Sequence, residues 1–121
     1  MIVNRIPETE AVEFLKVHKA NKERISITSA DVWFGAFCDN NLVGVISLKK
    51  IGNNNRVKAF YVSKEYRKNG IGLKLLTTAL SYGKMKYTAF ATNYSKNLFL
   101  QCGFEEKWFN ELKKISFLIK E

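Results

Sequence analysis

An apolar run, Ala59-Phe60-Tyr61-Val62, gives way at Ser63 to a basic segment, Lys64-Glu65-Tyr66-Arg67-Lys68-Asn69. That segment ends in Gly70-Ile71-Gly72, where a helical pattern begins and runs to about Tyr82. A strand feeding a glycine-bearing turn at a helix start makes an anion site. The first-turn N–H groups there lack intrahelical partners, and the helix dipole favours negative charge. Glycine lets a phosphate approach backbone that a side chain would block. Arg67 and Lys68 add positive charge. Two common phosphate motifs fail on residues. A Walker loop needs Gly-Lys-Ser/Thr, and Gly72 is followed by Leu73. A dinucleotide fingerprint needs Gly or Ala three residues after its second glycine, and that position is Leu75.

What remains is Arg67-x-x-Gly70-x-Gly72 between a strand and a helix. A second block lies downstream, Tyr94-Ser95-Lys96-Asn97-Leu98-Phe99-Leu100-Gln101-Cys102-Gly103-Phe104. Leu98, Phe99 and Cys102 fall at helical spacing, and Gly103 is a C-terminal stop. The first block resembles the acyl-CoA pyrophosphate loop of the GNAT superfamily of N-acetyltransferases. The second resembles that superfamily's last motif, whose helix packs beside the CoA arm and whose Gly-Phe opens the next strand. The resemblance covers roughly residues 32–120.

The elements follow a compatible order. Residues 1–6 read as a strand. Pro7, with Glu8 and Glu10, suits the start of a helix carrying Ala11, Val12, Phe14, Leu15 and His18 to about Asn21. Strands are expected at 33–38, 42–48 and 56–62, with turns at Asp39-Asn40-Asn41 and at 52–55. The helix from Gly70 is expected to bury Ile71, Leu75, Leu76, Ala79 and Leu80. A strand at 87–91, the short helix, and strands at 104–109 and 115–119 complete the order. The fold class expected is α/β (α+β): a GNAT-like three-layer α-β-α sandwich around a mixed, largely antiparallel sheet with a splayed central strand pair. Residues 1–121 are read as a single domain. The family usually has two helices between its first two strands. Here 22–31 leaves room for one helix and a loop, so the acceptor groove is expected to be open.

Composition fits one folded domain. The 121 residues are 46% hydrophobic and 13% aromatic, which excludes a disordered chain. No apolar run approaches the roughly 18 residues of a membrane span, and the N-terminus lacks a signal-peptide pattern. Cys38 and Cys102 sit in separate apolar elements and are expected to be buried free thiols. No metal site is expected, and this cysteine usage suits a reducing cytoplasm, the expected location.

The resemblance implies acyl transfer from acetyl-CoA, the co-substrate, to an amine-bearing acceptor. In the family, the strand before the loop splays from its neighbour and frees a backbone N–H for the thioester carbonyl. Here that group is the N–H of Val62 or a near neighbour, with Tyr61 beside it. The pyrophosphate would lie on Arg67, Lys68, Asn69, Gly70, Ile71 and Gly72. A CoA-contacting Asn of the family aligns with Thr92, and Asn93 is adjacent. Many members protonate the departing thiolate with a Tyr that corresponds here to Phe99, a CoA-side residue that cannot donate. Tyr94, about a turn earlier, is the candidate substitute.

No carboxylate occurs in 42–51 or 56–62 to act as general base. A lysine-like amine is only about one part in a few thousand neutral at pH 7, so a base or water relay is needed. Asp31 reads as a turn residue and Glu65 as a local contact. His18, the only histidine, reads as partly buried and structural.

Lys and Arg total 20 against 11 acidic residues, a net charge of +9. A basic surface of this size suits nucleic acid, anionic lipid or acidic proteins. Residues 33–46 are loosely similar to the early hairpin of small phage enzymes that modify adenine. Two alternatives therefore stand beside the transferase: a nucleic-acid-modifying or nucleic-acid-binding GNAT-like protein, and a non-catalytic CoA-binding module. A homodimer through the final strands is compatible with the family, but core is the first reading for 104–109.

Overall fold

The computed structural model describes residues 1–20, 25 and 27–121, with the Tyr94 side chain outside that set. The order is β1 (Ile2–Arg5), α1 (Glu8–Ala20), β2 (Val32–Cys38), β3 (Asn41–Ile51), β4 (Asn54–Val62), a 3-10 turn (Lys64–Tyr66), α2 (Ile71–Leu80), β5 (Lys86–Thr92), α3 (Asn93–Gln101), β6 (Glu105–Asn110) and β7 (Ile115–Lys120). The strands form one seven-stranded sheet in the order β1-β2-β3-β4-β5-β7-β6. Only β4 and β5 run parallel; every other pair is antiparallel. The expected mixed sheet is present.

Local chemistry explains most boundaries. Glu8 and Glu10 lie in the first turn of α1, and His18 and Lys19 in its last, each complementing the dipole. Asp39 and Asn40 both take positive φ, 50° and 67°, the pairing a tight hairpin requires. Asn41 belongs to β3 and pairs with Cys38. The second turn is shorter than the sequence predicts. Gly52, at φ 59°, and Asn53 make it alone. Asn54 and Asn55 join β4 because they pair with Ile51 and Lys50 on one side and with Lys86 and Tyr87 on the other.

The sheet separates two apolar clusters. One lies under α2 and α3 and holds Ile46, Leu48, Ile71, Leu75, Leu76, Ala79, Phe99 and Leu118. The other lies under α1 and joins Ala11 and Leu15 to Trp33, Val45 and Ala59. The α2 residues expected inside are buried, except that Leu80 is only partly so. Glu8 Oε1 accepts from Trp33 Nε1 and from the Ala30 N–H, each at 3.1 Å, and so fixes α1 on β2. Ile25, Ile27 and Ala30 pack against the same cluster.

Two expectations need correction. Phe104 is buried, but β6 begins one residue later and is an exposed edge, with Trp108 48% and Phe109 38% exposed. Its strand pairs only with β7, so neither ring belongs to the core. Cys38 and Cys102 are free, yet only partly buried. Burial still pushes the Cys102 thiol up, against the opposing charge of Lys120. Among the described residues no helix is long and apolar enough to cross a membrane.

Two outcomes test this packing. Leu75 is fully buried, so Leu75→Ala should cost about 3 kcal/mol in urea unfolding. Lys96 Nζ lies 2.8 Å from Glu106 and ties α3 to β6, and Ser116 also donates to that carboxylate. These hydrogen bonds, Lys96 first, hold the Glu106 carboxyl below the usual carboxylate range. A depressed folded value contributes stability above the unfolded value, and that stability is lost as pH falls through the folded one. Glu106→Gln should therefore lower the Tm at neutral pH, and the gap to wild type should close in acid.

Candidate active site

The parallel ladder between β4 and β5 has only four pairs, from Asn54↔Lys86 to Val57↔Ala89. Beyond Val57 the strands part. On the other edge of β4, the register jumps from Leu48↔Val57 to Ile46↔Phe60, so Lys58 and Ala59 together oppose Ser47. This is a β-bulge, which bends a strand and re-aims its groups. Buried Ser47 anchors it by accepting the Ala59 N–H at 2.9 Å.

Backbone direction past the bulge follows from one bond. Ser63 N–H donates to Val43 O at 2.7 Å, so it points at β3. N–H groups alternate sides along a strand. The N–H groups of Val62 and Phe60 therefore point away from β3, into the gap where β5 has left. Val62 is the sequence-predicted donor. Phe60 is a second on the same side, nearer the closed end of the gap, and the sequence alone did not single it out. Tyr61 faces the opposite layer, packed against Phe14 and His18.

The turn below the gap is built for backbone exposure. Lys68 and Gly70 take positive φ, 67° and 78°. Gly70 is the N-cap of α2 with no side-chain cap hydrogen bond, which leaves the first-turn N–H groups to an outside acceptor. The two glycines do different work. A Cβ on Gly70 would meet nothing within 4 Å, so the space over it is open. A Cβ on Gly72 would lie 3.2 Å from Leu98 Cδ2 and 3.7 Å from Phe60 Cζ, so Gly72 lets α2 approach α3 and β4. Ile71 is buried and offers its backbone alone. Lys68 and Asn69 are exposed on the outer side of the turn.

Arg67 turns back. Its Nε donates to Val62 O at 2.9 Å, and its guanidinium lies over the Tyr61 ring, 5.3 Å from the centroid. It latches the turn to the end of β4.

The other wall comes from α3. Thr92 ends β5 and is the N-cap of α3, and Asn93 is its first residue, exposed at the open end of the gap. Phe99 is buried and packs edge-on against Phe60, at 5.9 Å, and Phe104, at 5.0 Å. The side chain of Tyr94 lies outside the described residues.

His18 and Ser63, not predicted as a pair, meet at the end of β4. His18 Nδ1 lies 2.9 Å from Phe14 O, and its Nε2 lies 2.9 Å from Ser63 Oγ. A carbonyl only accepts, so Nδ1 carries a proton, and in the neutral ring Nε2 accepts from the Ser63 hydroxyl. Asp31 is remote: its Oδ2 accepts the Lys50 N–H at 2.6 Å at the far end of β3. A cavity of about 300 Å³ there, lined by Asp31, Leu48, Asn55, Tyr82 and Met85 among others, is likewise far from the gap. No group of three or more His, Cys, Asp or Glu among the described residues forms a metal site.

The family model described as an acetyltransferase (GNAT) domain matches residues 3–114. No curated protein matches the sequence. Solved structures share the fold. Escherichia coli ElaA superposes with a TM-score of 0.77 at 13% identity, with all of each chain covered. An IAA acetyltransferase from Bacillus cereus gives 0.72 at 19%, covering 99% of this chain and 98% of its own. A PaiA N-acetyltransferase from Thermoplasma acidophilum, solved with coenzyme A, gives 0.64 at 22%, covering 93% and 70%.

Ser47 tests the geometry directly. Ser47→Ala leaves the Ala59 N–H without its acceptor, and unfolding should show a loss of about 1–3 kcal/mol. An unchanged stability would mean that the bulge holds without the hydroxyl.

Proposed function

Because the chain belongs to the GNAT acetyltransferase family, we propose that it transfers an acetyl group from acetyl-CoA to an amine by direct attack within a ternary complex. The observation that carries this reading is the gap between β4 and β5, entered by the N–H groups of Phe60 and Val62 and continuous with the open turn at Gly70. A thioester arm can complete the interrupted ladder, and its pyrophosphate suits the uncapped N-terminus of α2.

Bound there, acetyl-CoA supplies an activated acyl group: the amine nitrogen bonds to the acetyl carbon, the carbon–sulfur bond breaks with its electron pair going to sulfur, and the amine proton passes to water. The protein's part is positional and electrostatic. Val62 and Phe60 N–H groups lie where negative charge develops on a carbonyl oxygen, and a fixed donor there is worth about 3 kcal/mol or more in rate. Backbone N–H groups from Lys68 to Gly72 hold phosphate, with the charges of Arg67 and Lys68 beside them. The Arg67 latch keeps the turn aligned with β4, so both ends of one ligand are gripped in register. Asn93 stands at the open end of the gap, where a polar contact to the arm is within reach of α3.

A second reading rests on Phe99. It fills the wall beside Phe60 with no hydroxyl to give a proton, which also suits a domain that binds CoA without turning it over.

Melting with acetyl-CoA and with CoA separates these readings from a failure of both. Ligand at about 100 times its Kd should stabilise the fold by about 2.7 kcal/mol. Gly70→Glu, which puts a negative side chain into the open space over the turn, should remove that shift while the variant stays folded. No shift in wild type overturns the site. A shift, with thiol release on supplying amines, supports the transferase; a shift without thiol release for any amine supports the binding module.

A further inference from the structure

The layers are unequal. Val57, Ala89 and Leu118 face α2 and α3, so their strand neighbours face the other way. On that opposite face α1 covers β2 to β4, but no helix among the described residues lies over β5, β7 and β6. Phe90, Phe117 and Trp108 stand there in register, Phe90↔Phe117↔Trp108. Phe90 is 49% exposed and Trp108 48%. Phe90 is also the first β5 residue past the last β4 pair, so this shelf opens from the gap itself.

Arg56 forms the shelf's inner end. Its Nε donates to Thr88 Oγ1 at 3.1 Å, and its guanidinium lies over Phe90, 4.8 Å from the centroid, and over Phe117 at 5.8 Å. Among the described residues it has no carboxylate partner. A guanidinium pinned this way keeps its remaining donors for a bidentate anion. Exposed Lys58 is two residues along the same strand.

We propose that this shelf binds the acceptor, and that the acceptor is an acidic peptide segment. Its amine enters the gap, a neighbouring carboxylate pairs with Arg56, and apolar or aromatic side chains beyond it cover Phe90, Phe117 and Trp108. This rests on the transferase reading above. Four strands span three inter-strand spacings, about 14 Å, or about four residues of extended peptide. The net charge of +9 draws an acidic partner. A nucleic-acid strand fits less well. The ring faces already serve one another: Trp108 stacks on Phe117 at 5.5 Å and 22°, and Phe90 lies 4.9 Å from Phe117. Arg56 and Lys58 sit at the inner end and the outer strand carries Lys107 already paired with Glu105 at 3.2 Å, whereas a phosphate backbone needs unpaired cations along its length. A second copy laid on this face about a two-fold axis would bring Arg56 to a surface already carrying Arg56.

The test uses the full chain saturated with CoA, with Trp108 emission as the probe, since Trp33 is buried. Four blocked hexapeptides each carry one lysine, in acidic–aromatic, acidic–alanine, basic–aromatic and neutral–alanine contexts. Oligo-dT is run beside them. The acidic–aromatic peptide should shift the emission and bind at least tenfold tighter than the basic–aromatic one. With acetyl-CoA supplied in place of CoA, it should also give the highest kcat/KM for thiol release. Arg56→Gln should erase the acidic preference in emission and in kcat/KM, and Trp108→Ala, which removes the probe, should erase the aromatic preference in kcat/KM; each should leave the melting shift with acetyl-CoA intact. Equal or absent binding of all four peptides overturns the shelf assignment even where the acetyl-CoA shift is present. Tighter binding of oligo-dT overturns it in favour of nucleic acid. Trp108 emission that changes on dilution of protein alone overturns it in favour of self-association. Loss of the acetyl-CoA shift in wild type instead removes the transferase reading.

Discussion

Everything in this molecule that points to chemistry depends on the parting of two neighbouring strands. A sheet that stayed paired throughout would spend the N–H groups of Phe60 and Val62 on β5. Here the ladder stops at Val57↔Ala89, and a bulge pinned by Ser47 turns β4 away. The interruption is stable because both sides are secured elsewhere. β4 remains paired to β3 through Val62, and β5 remains paired to β7 from Tyr87 to Thr92. The unpaired backbone is thus held open by its outer neighbours.

The turn at Gly70 continues the same logic at the end of β4. Positive φ at Lys68 and Gly70 directs backbone outward, and Gly72 lets α2 close on α3 and Phe60. Arg67 joins the turn to Val62 O through its Nε. The gap and the turn are therefore joined by a direct hydrogen bond. The opposite face, lightly covered, leaves Arg56 and three aromatic rings beside the closed end of the gap.

Much of this was legible in the chain. The glycine-bearing turn, the helix behind it, the Asp39-Asn40 hairpin and the buried stripe of α2 rest on local φ demands and on periodicity, and both read directly from residues. Other features were not legible. Phe104 to Phe109 looks like core because it is aromatic, yet its strand ends the sheet, and edge position is a property of strand order. Gly70 and Gly72 look equivalent until Leu98 appears beside one of them. His18 reads as a structural histidine from its apolar helix face; its bond to Ser63 spans 45 residues and has no local signal. Asn54 and Asn55 look like turn residues and become strand only because partners wait on both sides.

The sequence by itself determined the elements, their order and the glycine-bearing turn where α2 begins with no side-chain cap. Each of these follows from backbone preferences within a few residues. The tertiary structure alone decided where β4 leaves β5, which N–H groups face the gap, which way Arg67 and Arg56 turn and which aromatic rings stay outside. Those outcomes are set by contacts between distant segments: Ser47 with Ala59, His18 with Ser63, Arg56 with Phe90 and Phe117. A side chain's role there depends on which partner reaches it first, and no short-range pattern records that.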